Sequence, residues 1–109
     1  MSLEALWTVV FSTCGDASQE QGNGVAVFET GRIFGGDSNF YYLGDYICTN
    51  GQIKARVKIA RHGSNNDFEF ELSGAYKGGE SSLILDGTYL VNGKPTLVVV
   101  ILTHIADLP

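Results

Sequence analysis

The stretch Ile53-Lys54-Ala55-Arg56-Val57-Lys58-Ile59-Ala60 decides the fold. Ile53, Ala55, Val57 and Ile59 hold the odd positions, and Lys54, Arg56 and Lys58 alternate with them. A period of two marks a strand with one buried and one wet face. Asp67 to Tyr76 repeats the pattern, with Phe68, Phe70, Leu72, Gly74 and Tyr76 on one side and Asp67, Glu69, Glu71 and Ser73 on the other. Between them Arg61-His62-Gly63-Ser64-Asn65-Asn66 is polar and reads as a loop, so the two strands form a hairpin. Both apolar sets must face one core, so the numbers of opposed residues must sum to an odd value. A sum of 127 sets Lys58 against Glu69 and Arg56 against Glu71; a sum of 129 sets Lys58 against Glu71. In either register the outer face alternates charge across strands. Such pairs are worth roughly 0.2–1 kcal/mol each, and less where exposed. Glu69 and Glu71 therefore read as a solvated sheet face rather than a carboxylate pair for acid–base work.

The same period extends in both directions. Glu4 to Ser12 alternates Trp7, Val9 and Phe11 with Leu6, Thr8 and Val10. Thr13 to Asn23 is polar and contains glycine, which reads as a loop; Gly24 to Glu29 is a short strand, Thr30-Gly31 a tight turn, and Arg32 to Phe34 the return. Gly35-Gly36-Asp37-Ser38 interrupts the run before Asn39 to Cys48, with Phe40, Tyr42, Gly44 and Tyr46 on one side. Asn50-Gly51 is a strong signal for a type I′ hairpin. Lys77-Gly78-Gly79-Glu80 is a turn, Ser81 to Val91 a strand, Asn92-Gly93 a turn, and Pro95 to His104 the last strand. No window carries a helical period. Eight strands with short connections make an antiparallel meander, and closure into an up-and-down barrel removes its edges. Gly44, Gly74 and Gly87, inside strands, suit the bends that closure needs. The alternative is a two-sheet β-sandwich.

Composition fits one domain over residues 1–109 and excludes several classes. Charged residues make up 17% of the chain and apolar ones 44%. The longest apolar run, Leu97 to Leu102, has six residues, against roughly 20 for a membrane-spanning helix. Seven basic and twelve acidic residues give a net charge of −5, which disfavours direct contact with a nucleic-acid backbone. No secretory leader opens the chain, and two cysteines, Cys14 and Cys48, are too few for a disulfide framework. A cytoplasmic protein with free thiols is expected.

Leu97 to Leu102 is apolar on both faces, and Leu6 and Val10 add apolar groups to the second face of the first strand. In a closed meander the first and last strands are neighbours. Leu6, Val10, Val98, Val100 and Leu102 are thus expected to form an exposed apolar patch, which soluble monomers seldom leave wet. Either a second copy covers it, making a homodimer, or the C-terminal tail or the long first loop does.

The order of four segments resembles the GrlR family, negative regulators of type III secretion genes in attaching-and-effacing enterobacteria. The segments are Leu6-Trp7-Thr8-Val9-Val10-Phe11-Ser12, Gly22-Asn23-Gly24-Val25-Ala26-Val27-Phe28, Gly35-Gly36-Asp37-Ser38 and Tyr41-Tyr42-Leu43-Gly44. The likeness covers most of residues 4–106, and the Gly-Gly-Asp element followed by Tyr-Tyr-x-Gly is its most specific part. It implies a lipocalin-like barrel that dimerises, with a cavity for an apolar molecule. It also implies a helix-turn-helix activator as partner, held off DNA. In the archetype an acidic Glu-Asp-Glu-Asp stretch in one hairpin matters for repression. The matching stretch here is about Cys48-Thr49-Asn50-Gly51, which carries no acid. The partner-binding loop by this likeness is Thr49, Asn50, Gly51 and Gln52.

Three places are candidates for function. The barrel interior, read from alternation, holds Trp7, Val9, Phe11, Tyr42, Tyr46, Ile53, Val57, Phe68, Phe70, Leu72, Leu85 and Tyr89. It is either a packed core or a site for one small apolar ligand with its polar end at a tyrosine hydroxyl. The Gly35, Gly36, Asp37 turn is either structural or a rim at the barrel mouth. The outer patch is the third. Catalysis has no signature: His62 and His104 are far apart in sequence, no GxSxG elbow exists, and no cofactor fingerprint or metal-ligand spacing is present. The expected function is a non-enzymatic binding protein acting on a transcriptional regulator, with a carrier or sensor of a small apolar ligand as the alternative.

Overall fold

The computed structural model describes residues 3–15, 21–63, 67–91 and 94–109. Eight strands follow in order: β1 (Ala5–Gly15), β2 (Gln21–Glu29), β3 (Arg32–Gly36), β4 (Phe40–Thr49), β5 (Gln52–Arg61), β6 (Asp67–Ala75), β7 (Ser82–Val91) and β8 (Lys94–Asp107). Each pairs antiparallel with its neighbour in sequence, and β8 returns to β1, so the sheet closes as an up-and-down barrel rather than a sandwich. The barrel is flattened, with extents of 39 × 29 × 18 Å.

β5 and β6 take the register of sum 127, with Lys58 opposite Glu69 and Arg56 opposite Glu71. Arg56 lies 3.6 Å from Glu71 and 3.7 Å from Glu69 on the open outer face. Asn50 (φ 53°) and Gly51 (φ 75°) make the left-handed pair of a type I′ turn. Thr30 (φ 49°) and Gly31 (φ 78°) do the same between β2 and β3. Each tip is also held by the next strand, since the Tyr46 amide donates to the Gly31 carbonyl and the Tyr76 amide to the Gly51 carbonyl, both at 2.9 Å.

Several boundaries move outward. β1 runs to Gly15 and β2 begins at Gln21, so the expected Thr13–Asn23 loop shrinks to a connection centred on residues 16–20, outside the described residues. Gly35 and Gly36 complete β3 instead of interrupting it. The Asn92-Gly93 turn and loop residues 64–66 also lie outside the described residues.

Gly87 shows why glycine is required where the strands bend. A Cβ built there would lie 2.1 Å from the Glu71 carbonyl oxygen, and one on Gly44 2.3 Å from that of Arg56. Backbone cannot yield as a side-chain tip can, so Gly87→Ala is expected to cost about 1–3 kcal/mol. Urea unfolding measures it; an unchanged midpoint would mean that the bend is not tight.

The outer patch needs a correction on β8. Val98, Val100 and Leu102 point into the barrel and are buried, Val98 at 0% exposure. Cross-strand partners point the same way, and Val9 opposes Leu102 while Val10 opposes Ile101. The outward set on β8 is therefore Leu97, Val99 and Ile101. Because residues 97–102 are apolar on both faces, alternation in the sequence could not choose between the two phases; the pairing with β1 does. A register shift at Leu6/Trp7, where Trp7 meets His104 and Leu6 meets Ala106, offsets the end of the pairing.

Candidate functional site

Alternation fills the barrel from every strand. Trp7, Val9, Phe11, Tyr42, Ile53, Val57, Phe70, Leu72 and Leu85 are buried as expected, and Tyr46 packs against them half-buried. The side chains of Phe68 and Tyr89 lie outside the described residues. One end is plugged by aromatics. Trp7 stands edge-on to His104, with ring centres 5.3 Å apart, and 6.2 Å from Phe28, which continues to Tyr46 at 5.2 Å. The Trp7 indole N–H is satisfied by the Leu3 carbonyl at 3.0 Å. At the other end Phe11 meets Phe40 and Tyr42 edge-to-face, at 5.8 and 5.9 Å. Between these ends lies an apolar cavity of about 40 Å³, lined by residues such as Val9, Phe28, Ile33, Ile59 and Leu102. Pockets that hold organic ligands span roughly 300–1,000 Å³. The described interior side chains pack as one apolar cluster around that small space.

The Gly35-Gly36-Asp37 segment builds a corner at the Phe40 end. One Asp37 carboxylate oxygen accepts the amides of Asn39 at 2.7 Å and Phe40 at 2.8 Å, an Asx turn. The other accepts the hydroxyl of Tyr42. His62 Nε2 lies 3.0 Å from the Asp37 carbonyl oxygen, and the His62 amide donates to the Asn39 carbonyl. Desolvation pulls the Asp37 pKa up, but the Tyr42 hydroxyl, the two amides and nearby His62 outweigh it and hold the carboxyl below its ordinary value. Burial, with the Asp37 hydrogen bond and charge, pushes the Tyr42 hydroxyl well above its ordinary range. Tyr42 thus remains a neutral donor, and its hydroxyl is already engaged by Asp37. The interior ligand imagined at a tyrosine hydroxyl would have to displace this bond.

His104 and His62 sit at opposite ends of the barrel and share no site. His104 Nε2 lies 2.9 Å from an Asp107 carboxylate oxygen. Among the described residues no three His, Cys, Asp or Glu side chains come together as metal ligands. The hairpin tip formed by Thr49, Asn50, Gly51 and Gln52 is exposed apart from half-buried Gly51, and Cys48 beside it is an exposed free thiol.

The outer surface divides in two. β5 and β6 present Lys54, Arg56, Lys58, Glu69 and Glu71 outward. The opposite wall presents no charge across the middle of β8, β1 and β2. In register, Ile84 of β7, Ile101 of β8 and Val10 of β1 stand side by side, 56%, 41% and 46% exposed. Leu6, Val27, Phe34 and Leu43 form a second row across β1 to β4. Val25, diagonal to Val10, links the two rows. The sequence reading found Leu6 and Val10 of this face. It missed Ile84, Ile101, Val25, Phe34 and Leu43, although Gly24-Val25-Ala26-Val27-Phe28 being apolar on both faces was a visible signal. Among the described residues no helix is long and apolar enough to cross a membrane. No family model matches the sequence, and no curated protein is significantly similar to it.

Proposed function

We propose that this chain is a non-enzymatic protein-binding module of the GrlR-like kind, cytoplasmic and homodimeric, which works through its outer surface rather than its interior. The observation that carries this reading is the pairing of a nearly filled barrel with apolar side chains that run across the outer face from Ile84 of β7 through β8, β1 and β2 to Leu43 of β4. A small-molecule carrier needs space inside, and about 40 Å³ is too little. An apolar sheet wall rimmed by charge is the usual mark of a protein interface. The second copy is its occupant in this reading, because the wall is continuous enough to pair with itself about a two-fold axis. The likeness to GrlR proteins supports regulation of a transcriptional activator as the biological role. The hairpin tip Thr49 to Gln52 carries no acid, so activator contact falls on another part of the surface.

Native mass spectrometry beside the denatured mass tests the reading. A dimer of bare chains is the expected result. A retained small molecule would overturn the surface-acting account in favour of a carrier, and a monomer at micromolar concentration would remove the dimer.

A further inference from the structure

The charged part of the outer face is hollowed. Its outward residues lie in two rows that cross the strands. Asp45, Arg56 and Glu71 make one row, and Ile47, Lys54, Ser73 and Asp86 make the other. Ser73, Gly87 and Thr88 in the middle are short, while Lys54, Arg56 and Glu71 beside them are long. Glycine also lets β6 and β7 press together, since a Cβ on Gly74 would meet the Ile84 carbonyl oxygen at 2.2 Å. The result is an open groove of about 830 Å³ that reaches from Ile47 on β4 to Leu97 on β8. Pockets that take organic ligands span roughly 300–1,000 Å³.

The charges that line the groove differ in what they already hold. Arg56 is engaged by Glu69 and Glu71. Lys54 and Asp86 make no hydrogen bond or ion pair among the described residues. They flank Ser73 in one row, a strand to either side, so their Cα atoms lie about 10 Å apart. A cation, a hydroxyl and a carboxylate thus follow one another across the groove, with exposed Ile47 and Leu97 at its ends. An anion alone would face Asp45, Glu71 and Asp86, and a cation alone would face Lys54 and Arg56. A ligand that carries both signs matches both sides, with its carboxylate on Lys54, its ammonium on Asp86 and an apolar side chain against Ile47 or Leu97. An extended dipeptide, whose two charges stand several ångströms apart, suits this spacing better than a single amino acid. We infer that the groove binds a small zwitterion of the dipeptide class through Lys54 and Asp86. The site lies outside the barrel and is separate from the interior cavity.

Titration with glycyl-leucine, followed by the amide shifts in NMR spectra, tests it. The amides of Lys54, Ser73 and Gly87 should move and saturate by about 10 mM dipeptide. N-acetyl-glycyl-leucine lacks the ammonium and glycyl-leucine amide lacks the carboxylate, and each should bind about tenfold more weakly. Lys54→Gln and Asp86→Asn should each weaken glycyl-leucine by about the same factor. Both positions are exposed, so the fold tolerates the changes. Equal binding of the two capped dipeptides would overturn the inference. So would unchanged binding by either variant, or an absence of saturation by about 10 mM. Shifts confined to Val9, Ile33 and Ile59 would move the ligand to the interior cavity and would overturn it as well.

Discussion

Asp37→Ala should unfold about 2–3 kcal/mol more easily than the parent chain, a large loss for one partly exposed residue. The carboxylate accepts two backbone amides and the Tyr42 hydroxyl. Removing it leaves a buried tyrosine hydroxyl without its acceptor and undoes the turn that brings β3 into β4. Tyr42→Phe removes only one of these bonds and should cost about 1 kcal/mol. The pH dependence separates the variant further. The folded Asp37 pKa lies below its ordinary value, so its contribution is full above the unfolded pKa of about 3.9 and fades as pH falls through the lower folded value. The difference between parent and Asp37→Ala should therefore be constant from neutral pH down to about 4 and shrink below it. Urea unfolding at several pH values measures this. A difference that grew on acidification would contradict the assigned bonds.

If two copies pair through the outer wall as proposed, Val10→Asp combined with Ile101→Asp should raise the dimer dissociation constant at least about a hundredfold while leaving the fold intact. The two positions are neighbours in register and both are exposed, so the monomer tolerates the charges. Across a two-fold axis the new carboxylates meet their own copies without a base nearby, and like charges so placed cost several kcal/mol. Each 1.4 kcal/mol is about tenfold in affinity. Val98→Asp is the contrasting variant. It lies on the same strand but is fully buried inside the barrel, and an unpaired charge there should unfold the chain rather than split the dimer. If Val98→Asp folded and dissociated while the outer pair had no effect, the assignment of inner and outer faces on β8 would be reversed.

These outcomes turn on features of unequal visibility in the sequence. The hairpin of β5 and β6 could be read to its register, because Lys58, Arg56, Glu69 and Glu71 mark the wet face and the apolar set marks the other. The Asn50-Gly51 turn was equally plain, since few other pairs take two positive φ angles. β8 was opaque for the opposite reason: six consecutive apolar residues carry no period, and only the partner strand fixes the phase. The tie between Asp37 and Tyr42 was hidden as well. Asp37 announced a turn, but nothing local shows that its second oxygen reaches a tyrosine five residues on. Whether the barrel was hollow depended on how Phe11, Phe28, Trp7 and Tyr42 interlock across it, a matter of three-dimensional packing that alternation does not encode.

The claim that most needs a direct answer is that the uncharged outer wall is where two copies meet. An isotope-filtered nuclear Overhauser experiment on a mixture of labelled and unlabelled chains addresses it. Intermolecular contacts are expected among the methyl groups of Val10, Ile84 and Ile101. An absence of intermolecular contacts, or contacts confined to the charged face of Lys54, Arg56 and Glu71, would contradict it.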